Sequence, residues 1–106
     1  MRVDILTLFP AMFPPVLSES ILGIAQTKGA VEFHVHDLRP FGEGSRRNTD
    51  DRPFGGGPGM VMTCPPVFDA VESIEREAGG RAHRVLTTPQ GRLLSHDVAE
   101  ELSRKE

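Results

Sequence analysis

With 106 residues, 38% of them hydrophobic, no Trp, no Tyr and a formal net charge of −3, the chain has room for one small domain. A domain of that size buries about two thirds of its unfolded surface, so its core is small. The acid excess argues against a general binder of polyanions. The single Cys64 excludes an internal disulfide, suits a reducing cytoplasmic setting and reads best as an apolar filler ahead of Pro65. No apolar run approaches the ~20 residues needed to span a bilayer. The N-terminus lacks the basic, apolar and small-residue zones of a signal peptide in order. No membrane partner is expected.

Residues 3–8 open the chain with Val3, Ile5, Leu6 and Leu8, a run expected to form a strand buried on both faces and ended by Phe9-Pro10. No glycine-rich turn follows it, which argues against the ordinary doubly wound plan that holds a cofactor in a turn after its first strand. Residues 12–28 are helical in composition but interrupted by Pro14-Pro15 and Gly23. A short turn and then a helix are expected, with Val16, Leu17, Ile21, Ile24 and Ala25 facing inward and Gly29 closing it in the left-handed conformation. Residues 31–37 alternate, with Val31, Phe33 and Val35 on one face and Glu32, His34 and His36 on the other, and so read as a strand. Two histidines on one strand face have a metal spacing. With no cysteine or third histidine nearby, a solvated or hydrogen-bonded face is the favoured reading.

Residues 39–51 carry Pro40, Gly42, Gly44, Ser45 and Asn48 and read as a long polar loop. Arg46 and Arg47 could hold a phosphate, since guanidinium forks match phosphate oxygens, or could form a solvated basic turn. Asp50 and Asp51 could be metal ligands or acid/base groups, although adjacent side chains point apart and do not suit one metal. A carboxylate can also accept from a guanine edge. Next comes Asp50-Asp51-Arg52-Pro53-Phe54-Gly55-Gly56-Gly57-Pro58-Gly59-Met60. So much glycine rules out a helix or strand interior, while Pro53 and Pro58 stiffen the segment into a shaped loop. A Walker-type phosphate loop would need Lys-Ser/Thr where Met60-Val61 stands, and a dinucleotide fingerprint fails at the same place. A plain surface turn also fits the residue types.

Pro65-Pro66 marks a helix start. Val67, Val71 and Ile74 recur at helical spacing, and Gly79-Gly80 ends the helix. Residues 84–87 are expected to form a short strand around Val85-Leu86. The turn Thr88-Pro89-Gln90-Gly91 follows at the carboxyl end, where parallel sheets bind ligands, and on residue types a plain strand-to-helix turn fits it better. Ser95 suits an N-cap with Asp97 in the first turn, and Leu94, Val98 and Leu102 mark the buried side of a last helix. The sum is an α/β domain with a mostly parallel sheet flanked by helices.

Three stretches together carry a resemblance. Leu8-Phe9-Pro10-Ala11-Met12-Phe13, the eleven-residue glycine loop, and Leu86-Thr87-Thr88-Pro89-Gln90-Gly91 are similar to the opening motif, the signature and the first cofactor-binding segment of the bacterial tRNA (guanine-N1)-methyltransferases. The resemblance covers essentially the whole chain. It implies methyl transfer from S-adenosylmethionine to N1 of the guanosine 3′ of the tRNA anticodon, by a cytoplasmic homodimer of the SPOUT type with a trefoil knot. By the same resemblance, Leu86, Thr87, Thr88, Pro89, Gln90 and Gly91 bind cofactor. Asp50, Arg46, Arg47, Arg52, Gly55, Gly57 and Gly59 are expected to contact RNA, with Asp50 the best candidate to hold the target guanosine or its neighbour. The chain departs from the family pattern at Arg46, Thr49 and Phe54, where a histidine, an aliphatic residue and a tyrosine are common. The knot, the general-base aspartate and the C-terminal tRNA-gripping domain belong to later segments of the family. The chain is therefore expected to be the N-terminal part of the enzyme, without a catalytic residue of its own and inactive alone. Any role for magnesium stays open. A small module that binds nucleic acid or phosphate is the alternative.

Overall fold

The computed structural model describes residues 1–105. Strands β1 (Arg2–Thr7) and β2 (Glu32–Asp37) pair in parallel, from Arg2 opposite Glu32 to Thr7 opposite Asp37. A 3-10 turn (Pro10–Met12) and the helices α1 (Phe13–Leu17) and α2 (Ser20–Thr27) connect them, as a parallel pair requires. Pro14 and Pro15 lie in the first turn of α1, where their missing N–H groups cost nothing. The break falls instead after Ser18. There Gly23 is indispensable, because a Cβ on it would lie 2.2 Å from the Ser18 carbonyl oxygen. Gly29 ends the second helix with φ +68°, as expected. The inward facing of Val16, Ile21 and Ile24 is not observed: they are 63%, 75% and 56% exposed. The two short helices pack on each other and on the turn before them, and only lightly on the sheet. Strand β1 is correspondingly half-buried along its length rather than buried on both faces.

The core forms where α3 (Cys64–Ala78) lies against β1 and against a second 3-10 turn (Arg39–Phe41). Leu38, which leads into that turn, is 2% exposed, and the helix buries Pro66, Ala70 and Ile74. That stripe runs at intervals of four, with Val67 and Val71 half-buried beside it. Gly79 closes the helix in the left-handed conformation at φ +79°, and the Gly80 N–H donates to the Glu75 carbonyl.

The expected single, mostly parallel sheet is replaced by two separate two-stranded sheets. The second is antiparallel, β3 (Asp50–Asp51) with β4 (Val61–Met62), and closes the glycine segment into a hairpin. The expected strand at residues 84–87 is absent. Val85 and Leu86 are 62% and 83% exposed and lie beside no strand; extended apolar sequence becomes a strand only when a neighbour pairs with it. Helix α4 (His96–Ser103) is capped as expected, with Ser95 Oγ accepting from the Val98 N–H at 3.4 Å. Leu94, expected on its buried side, is 71% exposed. The accessible surface is 8620 Å², against about 5,800 Å² for a compact monomer of this mass. The radius of gyration is 15.8 Å, against about 13 Å. Much apolar surface is thus left open.

One polar cluster pins the parallel pair. Arg2 donates to both carboxylate oxygens of Asp4, at 2.9 and 2.8 Å, and His36 Nε2 lies 2.8 Å from Asp4 Oδ1. Burial pushes the Asp4 carboxyl up, but the hydrogen bonds from Arg2 and His36, helped by their charges, hold it below the usual carboxylate range. His34 stacks near His36, with ring centroids 6.4 Å apart. Its Nε2 lies 3.0 Å from Glu32 Oε1 but without the alignment of a hydrogen bond. Because the folded pKa of Asp4 is depressed, its contribution is complete above about pH 4, the unfolded value, and fades as pH falls through the folded value. Asp4→Asn should therefore lower stability by about 1–2 kcal/mol at pH 7. Urea titrations should show the gap to wild type constant above about pH 4 and narrowing as pH falls below it.

Candidate functional site

Two successive hairpins carry Arg46, Arg47, Asp50, Arg52 and the glycine string, the residues expected from the sequence to meet RNA. The first is tight: Glu43 and Asn48 exchange backbone hydrogen bonds at 2.8 and 2.9 Å, and Arg46 and Arg47 sit exposed at its tip. Arg47 adopts φ +54°, a left-handed conformation that costs a non-glycine residue roughly 1–2 kcal/mol. Gly42 accommodates the fold-back, since a Cβ there would lie 2.2 Å from the Arg47 carbonyl oxygen. The second hairpin begins at Thr49, which is buried and whose carbonyl accepts from both the N–H and the hydroxyl of Thr63, at 2.9 and 3.2 Å. The polar loop expected over residues 39–51 is therefore built, and its last two residues are strand.

Within the second hairpin, Gly55, Gly56, Gly57 and Gly59 have φ of +82°, +81°, +119° and +90°. A Cβ at any of them would meet nothing within 4 Å, so it is the backbone conformation, not crowding, that demands glycine there. The Gly56 N–H donates to the Pro53 carbonyl at 3.1 Å, and the Arg52 N–H donates to Asp51 Oδ1 at 2.7 Å. Asp50 and Asp51 are both exposed on adjacent strand positions, and their side chains project to opposite faces. Among the described residues no ion pair engages Arg46, Arg47, Arg52 or Asp50. No group of three or more His, Cys, Asp or Glu among those residues could hold a metal. Two features escaped the sequence reading. Gly56 shares the left-handed conformation of the glycines on either side of it, and Phe54 is fully exposed at the tip. The aromatic ring beside so many glycines was the available signal for the second.

The segment expected from the sequence to bind cofactor follows α3. Residues 81–97 are exposed throughout. Thr88 organises the turn: its hydroxyl accepts from the Gln90 N–H at 3.3 Å and its carbonyl from the Gly91 N–H at 3.1 Å. The main-chain groups of Leu86 and Thr87 make no hydrogen bond among the described residues. On the α3 side, Glu75 receives the Ala82 N–H and both forks of the Arg84 guanidinium. The Arg84 hydrogen bond holds the Glu75 carboxyl below the usual range, and Glu75 in turn raises Arg84.

A parallel β-α-β unit, a glycine hairpin and an open turn make up a mixed α/β fold. The same arrangement is found in the crystal structure of tRNA (m1G37) methyltransferase from Aquifex aeolicus, which superposes on all of this chain with a TM-score of 0.88 and 35% identity and of which the chain covers 47%. The family model described as tRNA (Guanine-1)-methyltransferase TrmD matches residues 1–106, and the chain belongs to that family. Relatives named tRNA (guanine-N(1)-)-methyltransferase are 50% identical over 103 residues in Leuconostoc mesenteroides and 49% identical over 106 residues in Bacillus licheniformis. The chain spans 42% and 44% of their lengths. No helix among the described residues is long and apolar enough to cross a membrane.

The left-handed glycines yield a direct expectation. Gly59→Val should strain the hairpin by roughly 1–2 kcal/mol while leaving the core of Leu38, Ala70 and Ile74 unchanged. Limited proteolysis should show faster cleavage within residues 52–60, with a thermal midpoint lowered by no more than roughly 4–8 °C per kcal/mol of that strain.

Proposed function

We propose that the chain forms the N-terminal part of the methyltransferase domain of a homodimeric, cytoplasmic SPOUT-type enzyme. That enzyme moves a methyl group from S-adenosylmethionine to N1 of the guanosine 3′ of the tRNA anticodon, and its knot is completed by chain outside residues 1–106. The observation that supports this most is the family match along every residue of the chain, joined to a hairpin and a turn that both expose unsatisfied polar groups. The relatives' printed names supply the substrate and the position methylated.

In this reading the two hairpins grip the anticodon loop. Arg46, Arg47 and Arg52 meet phosphates, which fixes register without reading sequence. Asp50 accepts from the ring N–H and amino group of a guanine, and the glycine hairpin lets backbone approach the splayed loop closely. Phe54 offers a face on which an unstacked base can rest. S-adenosylmethionine fits the other segment on chemical grounds. The exposed Leu86 side chain and the unpaired main-chain groups of Leu86 and Thr87 are the donors, acceptors and apolar surface that an adenine ring takes. Residues 86–91 hold the group, which supplies an electrophilic methyl when bound. The Thr88-centred turn, with Gly91 close against the Thr88 carbonyl, keeps that wall in shape. The guanine N1 proton passes to a base outside these residues.

Arg46→Ala and Arg47→Ala in the complete enzyme should each lower the salt slope of tRNA binding by about one, without altering base preference. Asp50→Ala should reduce methylation of the correct tRNA by more than it reduces methylation of a tRNA whose neighbouring guanosine is replaced. Equal losses on both RNAs would remove the base-reading role.

A further inference from the structure

We propose that Glu75 is a positioning residue for the cofactor wall: its carboxylate, anchored on the core helix α3, sets where residues 86–91 stand. The inference rests on the cofactor reading given above and extends it to a residue that touches neither cofactor nor RNA.

Glu75 directly follows Ile74, which is 8% exposed in the core, and its own side chain is 13% exposed. The carboxylate is used on both oxygens. Oε1 accepts from the Ala82 N–H at 3.1 Å and from Arg84 Nε at 3.0 Å, and Oε2 accepts from Arg84 Nη2 at 2.8 Å. A two-pronged guanidinium–carboxylate contact fixes direction as well as distance, unlike an ordinary surface ion pair. A backbone donor on the same carboxylate ties the main chain itself to the helix. Arg84 stands two residues before Leu86, about 7 Å of extended chain, so the clamp acts at the entrance to the wall.

Little else could locate that wall. Residues 85–91 are exposed, and their hydrogen bonds run within the Thr88 turn. On the far side Arg92 meets Glu101 of α4 at 3.2 Å, but those side chains are 70% and 46% exposed and α4 has no fully buried residue. Of the two ion pairs that bracket the wall, the Glu75–Arg84 pair alone connects it to the core.

The test uses the complete enzyme and reads S-adenosylmethionine and tRNA affinity separately, by titration calorimetry and filter binding. Glu75→Gln should weaken S-adenosylmethionine binding about tenfold, the size of one charge-assisted hydrogen bond, and leave tRNA affinity within about twofold. Arg84→Gln, on the exposed partner and so safe for folding, should reproduce the effect. The exchange Glu75→Arg with Arg84→Glu should recover part of it. Gly91→Val, a change in the wall itself, separates the two readings. If Gly91→Val leaves S-adenosylmethionine affinity unchanged, the wall assignment fails and the clamp with it. If Gly91→Val weakens binding while Glu75→Gln and Arg84→Gln do not, the clamp is wrong and the wall stands. Equal loss of both ligands, with a lowered thermal midpoint and no recovery on exchange, would also overturn it by reducing Glu75 to a stability role.

Discussion

Everything in this chain is referenced to one contact, the packing of α3 on β1 and on the turn that follows Leu38. A fifteen-residue helix buries Pro66, Ala70 and Ile74 on one side, and with Leu38 these are the buried apolar residues among those described. A buried side chain of that kind is worth about 1.5–3 kcal/mol, less for the smaller Ala and Pro. The helix starts just after the glycine hairpin, and the exposed turn follows its end after residues 79–85, which Glu75 ties back to the helix. Its seating therefore sets the position of both. The Thr49 carbonyl, bonded twice to Thr63 at the helix entrance, passes that seating to the hairpin, and Glu75 passes it to the segment beyond Gly80.

The same economy explains the open surface. A chain with so few buried residues cannot also cover Ile21, Phe68, Leu86, Leu93 and Leu94, all more than half exposed. In the homodimeric enzyme proposed above, exposed apolar area of this extent is surface that a partner would cover. The polar groups are distributed to the same effect. The acidic and basic groups that hold structure, among them Asp4, Arg2, Glu75 and Arg84, are paired, whereas Arg46, Arg47, Arg52 and Asp50 make no ion pair among the described residues.

What the sequence disclosed and what it concealed divide by range. Signals contained within a few residues were legible: the apolar run of β1, the alternation of β2, the glycines at 29 and 79 that end helices, the Ser95 cap. That residues 52–60 form a shaped loop was legible too, from glycine density between prolines. Features set by a distant partner were not. The β3–β4 ladder joins two pairs of residues across a nine-residue loop, and nothing in Asp50-Asp51 or Val61-Met62 announces pairing. Val85-Leu86 carries a real strand signal, but pairing depends on a neighbour. For α1 and α2, helical spacing of Val16, Ile21 and Ile24 located an apolar side without saying what would cover it. The glycine string itself was most informative as a whole, since its short patterns matched several unrelated loops and the full string resembled one family.

The central claim is that two separate elements, the hairpins over residues 43–62 and the turn over residues 86–91, meet different ligands while one core holds both. Hydrogen exchange on the complete enzyme, measured with S-adenosylmethionine alone and then with tRNA, tests it most directly. The account predicts that S-adenosylmethionine slows exchange at Thr87, Thr88, Gln90 and Gly91, that tRNA slows it across residues 46–59, and that the amides around Ala70 and Ile74 change little in either case. Protection of neither segment, or of the hairpins by S-adenosylmethionine and the turn by tRNA, would contradict it.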